Sequence, residues 1–170
     1  MAELSAYLYG REAGRFVTGE DGRVTFNYRD DWVDASANGA AQALSVSLPL
    51  TKEPSPDAAA AFIAGLLPDS VKHREILAVE LGIDDDPSDF NLLSRIGRDC
   101  AGALIIIPSD ENLNTGQKPY VDVLTEEQLS LYLAELPRRP LLVDEGDGIM
   151  LSLAGVNDKA AVVASKNKIG

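Results

Sequence analysis

The chain has 170 residues, 45% of them hydrophobic and 25% charged, with a formal net charge of −12 and a sequence pI near 4.4. That is enough polypeptide for one or two packed domains, and the acidic balance argues against gripping a nucleic-acid backbone or an anionic membrane through the overall field. A single cysteine, Cys100, excludes an intrachain disulfide, and with His73 the lone histidine no Cys/His zinc cage can assemble within the chain.

The N-terminus, MAELSAYLYGREAGRF, carries no basic leader ahead of an apolar stretch. No apolar run approaches the length of a membrane span. The expectation is therefore a cytoplasmic protein without a membrane partner.

The first third reads as β. Leu4, Ala6 and Leu8 alternate with Ser5, Tyr7 and Tyr9, the period of a half-buried strand. A turn spanning Gly10 to Gly14 leads to RFVT. After the GEDG turn at 19–22 comes RVTFNYR, with Val24, Phe26 and Tyr28 on one face. Beyond a polar stretch from Trp32 to Gly39, ALSVSLPL predicts another alternating strand. It would place Leu44, Val46 and Leu48 on one side and end at Pro49.

Helices follow. SPDAAAAFIAGLL has Ser55 as N-cap, Pro56 at the first helical position and an apolar face of Phe62, Ile63, Leu66 and Leu67, with Pro68 as its stop. A second helix starts at the Ser70 cap, points Ile76, Leu77 and Leu81 inward and stops at Gly82. The acidic loop DDDPSDF leads into NLLSRIG, closed by Gly97. GALIIIP reads as a buried strand. LTEEQLSLYLAEL opens with the capping-box spacing Thr125–Gln128 and runs to Pro137. The linker PRRPLLVDEGDG precedes IMLSLAGVNDKAAVVAS, a strand–turn–strand, after which KNKIG trails off.

Several side chains invite a chemical reading and are better read structurally. The DDDPSD loop lacks the EF-hand spacing and its central glycine, and reads as a solvated loop. His73 stands at a helix start with no evident base or nucleophile beside it, a surface or capping position. Cys100 precedes a buried strand and reads as a small buried hydrophobe. Arg95 and Arg98 flank Gly97 and suit fixing a loop through carbonyls or Asp99.

The hairpin at 152–162, SLAGVNDKAAV, has one glycine, Gly155, so neither a Walker A loop nor G-x-G-x-x-G is present. A polar turn between apolar strands is ordinarily only a turn, and the residues alone do not lift it above that. The functional alternative rests on Ala154 and Gly155, which let backbone N–H groups approach a phosphate, on Lys159 for charge, and on Ser152 as a phosphoryl acceptor.

Five stretches together resemble one family, the HipA toxins of type II toxin–antitoxin modules, which are serine/threonine protein kinases. They are SVSLPL at 45–50, LLPDS at 66–70, LLSRIGRDCAGALIIIP at 92–108, LTEEQLSLYL at 124–133 and SLAGVNDKAAV at 152–162. They stand in the family's order and cover nearly the whole chain. Two departures are visible: Asn157–Asp158 replaces a turn that often carries Gln followed by Glu or Asp, and a thiol at Cys100 replaces a serine often found nearby.

The resemblance implies an α+β fold in three parts. Residues 1–137 would form an N-terminal domain with an antiparallel β-meander, several helices and a buried strand. Residues 138–148 would be a linker, and 149–170 the first hairpin of the kinase domain. It implies that Ser152 is an autophosphorylation site. Ala154, Gly155, Val156, Asn157, Asp158 and Lys159 would form the loop over the ATP phosphates.

The strand lysine, the catalytic aspartate and the Mg²⁺-binding aspartate of the family would fall beyond Gly170. The chain would then hold no catalytic residue, would be inactive alone, and would bind neither ATP nor Mg²⁺ tightly, although the full-length parent would use both. The implied partners are a HipB-like helix-turn-helix antitoxin, DNA only through that antitoxin, and a protein substrate of the aminoacyl-tRNA synthetase class whose phosphorylation arrests growth. The alternative is a separate non-catalytic module that restrains a partner kinase.

Overall fold

The computed structural model describes residues 2–50, 55–83, 86–100, 102–113, 123–135, 164–165 and 168–169. Strands β1 (Glu3–Leu8), β2 (Arg11–Thr18) and β3 (Val24–Tyr28) form the expected antiparallel meander. Helix α1 (Asp30–Ser36) follows, then α2 (Pro56–Ala64), α3 (Val71–Glu80) and α4 (Asp89–Ile96). A single 3-10 turn, Gly97–Asp99, leads to β4 (Leu104–Pro108), and α5 spans Glu126–Glu135. The sheet order is β3-β2-β1-β4, so β4 returns antiparallel to the open side of β1.

The β1–β2 connection is tighter than the expected Gly10–Gly14 turn. Tyr9 and Gly10 alone make it, with φ of 52° and 77°, and Leu8 pairs directly with Arg11. Two consecutive positive-φ residues match the twist of the flanking strands, which makes this the favoured two-residue hairpin geometry. Gly14 lies inside β2 instead. A Cβ there would sit 2.3 Å from the Asn27 carbonyl oxygen, so only glycine lets β2 and β3 approach this closely.

One face of the sheet carries Leu4, Ala6, Leu8, Phe16, Phe26, Tyr28, Leu104 and Ile106, all buried. Phe16 and Phe26 pack with ring centroids 4.5 Å apart, and Phe62 of α2 stacks on Phe16 at 5.8 Å, tying α2 to the sheet. Ile63, Leu77, Phe90, Leu92, Leu93 and Ile96 complete the core.

The helix starts behave largely as their sequences dictate. Ser70 Oγ accepts from the His73 backbone N–H and Ser88 Oγ from that of Asn91, while Thr125 and Gln128 exchange the two bonds of a capping box. Gly82 takes φ +64° just past α3. Ser55 sits at the N-cap of α2 but offers its carbonyl rather than its hydroxyl to Ala58 and Ala59, and α2 ends at Gly65 rather than continuing through Leu67.

Two further expectations fail. The polar stretch after β3 is helical, because Asp30 and Asp31 favour a helix N-terminus and Trp32 is buried, with Arg11 over its ring at 5.2 Å. Residues 43–50 form no strand. They make a tight turn closed by an isolated bridge between Ser45 and Leu48.

Candidate functional site

Ser152 and the turn Ala154, Gly155, Val156, Asn157, Asp158 and Lys159 lie outside the described residues, as does the linker 138–148. Beyond them, Ala164–Ser165 pairs antiparallel with Lys168–Ile169, so the tail KNKIG contributes a short strand rather than trailing off. The other motifs of the resemblance lie among the described residues, Ala101 excepted, and three of them fix junctions of the fold.

The SVSLPL stretch is held by the sheet. Tyr28 donates its hydroxyl proton to the Leu48 carbonyl at 2.6 Å and accepts the Leu44 N–H at 2.8 Å. Leu48 is fully buried, and burial raises the Tyr28 pKa although the Leu44 bond opposes it. With both ends of the turn anchored, Val46 stands out at its tip, 99% exposed. The expected strand would have put Leu44, Val46 and Leu48 on one side; instead the two leucines turn inward and the valine outward.

LLPDS links α2 to α3, and Arg74 staples the junction. Its Nε donates to the Pro68 carbonyl at 2.6 Å, one terminal nitrogen to the Ala64 carbonyl at 3.1 Å, and the other to Asp89 at the start of α4. Asp89 sits in the first turn of α4, where the helix dipole also favours its charge. Nothing in the local sequence pattern marks Arg74 for this; the clue was only its place beside a helix cap.

LLSRIGRDCAG closes against β4. Gly97 backs onto Ile106, where a Cβ would meet the carbonyl oxygen at 2.5 Å. Cys100 is buried and its thiol donates to the Gly97 carbonyl at 3.3 Å, as a structural cysteine should. Arg98 pairs with Glu111 beyond β4, and Arg95 is exposed in the last turn of α4. Among the described residues no cluster of His, Cys, Asp or Glu could hold a metal ion. Asp86, from the acidic loop, accepts from the Ser88 N–H and the Asn91 side chain, a local turn role.

The opposite face of the sheet carries a charge network that sequence reading missed. The ladder slips between Ala6 and Tyr7, pairing Ser5 with Arg15 but Tyr7 with Glu12. This bulge puts Glu12 and Arg15, three residues apart, on one face, where regular alternation would separate them. Glu12 accepts from Ser5 Oγ at 3.0 Å, Arg15 Nε at 2.8 Å and Arg29 at 3.3 Å. Burial pushes its pKa upward, but the hydrogen bonds from Arg15 and Ser5 and the charges of Arg15 and Arg29 outweigh it and leave the carboxyl below its ordinary value.

Among the described residues the architecture is α+β: a four-stranded antiparallel sheet contacted by α1, α2 and α4. The first 107 residues carry a family signature. Residues 4–107 match the HipA N-terminal domain, and the chain belongs to the HipA family as its N-terminal portion. A curated relative from Sinorhizobium fredii (strain NBRC 101917 / NGR234), named "Putative kinase Y4mE", is 37% identical over 164 residues, covering 94% of this chain and 38% of its own length. Among solved structures, the fold is similar to a chain in the complex of the Shewanella oneidensis MR-1 toxin–antitoxin proteins HipA and HipB with operator DNA. The TM-score is 0.69 at 23% identity, over 98% of this chain and 37% of that one. The chain thus spans under two fifths of the relatives it matches. Among the described residues no helix is long and apolar enough to cross a membrane.

Proposed function

We propose that this chain is the N-terminal part of a HipA-like protein serine/threonine kinase that works in a toxin–antitoxin module. The observation that carries this reading is the extent of the likeness to the kinase-named relative. It leaves only 6% of the chain, about ten residues, unmatched. The match therefore runs well past residue 107, where the likeness to the HipA N-terminal domain ends.

In this reading Ala154 and Gly155 keep the turn free of bulk, so that backbone N–H groups of 154–159 reach the ATP phosphates, and Lys159 adds positive charge. ATP and Mg²⁺ serve the parent protein, with the metal and general-base aspartates beyond Gly170. Ser152 Oγ takes the γ-phosphoryl group, releasing ADP and a proton. The resulting dianion faces a loop built for phosphates, and like-charge repulsion drives the loop out and shuts off transfer. The substrate class is a translation protein such as an aminoacyl-tRNA synthetase, and the partner is a HipB-like antitoxin that carries the DNA binding. The net charge of −12 fits that division of labour.

The test is phosphopeptide mapping of the full-length parent after incubation with ATP and Mg²⁺. Phosphate on the peptide holding Ser152, lost in Ser152→Ala, is the expected result. A parent that incorporates phosphate only at other residues removes the role of Ser152. A reading frame that stops at Gly170 favours the non-catalytic module that restrains a separate kinase.

A further inference from the structure

We infer that the turn Ser45–Leu48 is a preformed docking knob, and that it seats against the part of the parent polypeptide that follows residue 170. The inference rests on the reading of this chain as the first portion of a longer HipA-family protein.

Two independent observations carry it. The first is geometric. A β-branched apolar side chain at a turn tip normally costs little, because a mobile turn can fold it back. Here the turn cannot yield, since Tyr28 holds the backbone at Leu44 and Leu48 from within the core, and Leu48 is itself fully buried. The hydroxyls of Ser45 and Ser47 are bonded to each other at 2.9 Å, and Ser45 Oγ also accepts the Ser47 N–H. Val46 is held in water by the fold.

The second is compositional. From Ala35 through Thr51 the sequence has no Asp, Glu, Lys or Arg, in a chain where one residue in four is charged. An uncharged run is ordinary in a buried strand, but this one lies largely at the surface: residues 37–40, Gln42, Val46, Ser47 and Pro49 are exposed. Depletion of charged residues is one trait of an interface centre, and here it surrounds a rigid apolar anchor.

The occupant follows from the amount of chain involved. The kinase-named relative has 62% of its length outside the match, the complement of the 38% matched. That is ample material to cover the knob within one polypeptide. An intramolecular partner also needs no charge steering to find the site, which agrees with a contact surface lacking charge in an otherwise strongly acidic chain. The receiving surface should be an apolar pocket rimmed by neutral hydrogen-bonding groups that meet Ser45 and Ser47.

Amide hydrogen exchange of residues 44–48 tests this in the full-length parent and in the 170-residue chain, each with Val46 and with Val46→Glu. Slower exchange at Val46 and Ser47 in the parent, by about tenfold or more, is expected, with the difference abolished by Val46→Glu. Because Val46 is solvent-exposed in the short chain, the substitution should leave its thermal midpoint unchanged. Equal exchange in parent and short chain overturns the inference. So does protection in the short chain that grows with its concentration, which would assign the knob to a second copy, and so does a reading frame ending at Gly170. ATP turnover by the same parent preparation separates the two readings. An active kinase with an unprotected turn sinks the docking contact alone, and a protected turn in an inactive parent sinks the kinase reading alone.

Discussion

The Tyr28 hydroxyl bridges two backbone groups four residues apart, the Leu44 N–H and the Leu48 carbonyl, and so ties a loop to the edge strand of the sheet. Tyr28→Phe keeps the ring, which packs edge-on against Phe26 at 4.7 Å, and deletes only the bridge. The buried Leu48 carbonyl then loses its partner. Urea unfolding should show a loss of about 1–3 kcal/mol, and the 44–48 amides should exchange faster.

Arg74 makes three bonds in three directions, so no shorter or single-headed cation can replace it. Arg74→Lys and Arg74→Met should both destabilise the helical layer, by about 1–3 kcal/mol, since two carbonyls lose a charged donor. Near-equal midpoints for the two variants, both below the parent chain, are the expected result in thermal unfolding followed by far-UV circular dichroism. A full rescue by lysine would show that charge alone matters at this junction.

Gly97→Ala should be costly for a reason unrelated to helix propensity. The new methyl would lie 2.5 Å from the Ile106 carbonyl oxygen, in backbone that cannot rotate away. A loss of about 2 kcal/mol or more is expected, with faster amide exchange in β4 as the strand is pushed from α4. Alanine at Gly82 serves as the contrast: nothing lies within 4 Å of its Cβ position, and only the positive φ is strained.

Glu12 sets an acid-side dependence. Its carboxyl is held below the ordinary value in the fold, so the stability it contributes is present above the unfolded pKa and is lost as pH falls through the folded one. Glu12→Gln should therefore be less stable than the parent chain at neutral pH, and the gap should narrow as the solution is taken below the usual carboxylate range. A gap that stays constant with pH would show that shape, and not charge, accounts for the loss.

The 170-residue chain should show no phosphoryl transfer of its own. Incubated with labelled ATP, Mg²⁺ and a candidate synthetase, it should leave both proteins unlabelled, because phosphoryl transfer depends on metal-holding and general-base groups. Turnover by the purified chain would overturn the reading of this sequence as the part that precedes those groups.

How much of this could be read beforehand depends on how local the cause is. The meander followed from alternation, and the starts of α3 and α5 from their caps, since each of those signals lies within a few residues; α4 starts at Asp89, inside the stretch expected to be loop, because Ser88 caps it and Phe90 is buried. Helix α1 escaped because seven mostly polar residues are too few to show a helical period, and its one buried anchor, Trp32, is held by Arg11 of strand β2. At 43–50 the alternation was genuine, yet Tyr28, sixteen residues before Leu44, turned it into a loop. The Glu12 network needed a bulge that no pattern announces. The candidate phosphate loop rests on resemblance alone, and it lies outside the described residues.

The position of β4 has a consequence for how the chain is made. β1 pairs with β2 across a two-residue turn, but its other edge waits for Leu104–Pro108, nearly a hundred residues downstream. The hairpins can zip as soon as they leave the ribosome, whereas the last ladder closes a very large loop and must come late. During synthesis the edge of Leu4–Leu8 stays open to any passing strand until Ile105–Ile107 emerges. A chain truncated before Leu104 should keep that edge permanently and aggregate through it.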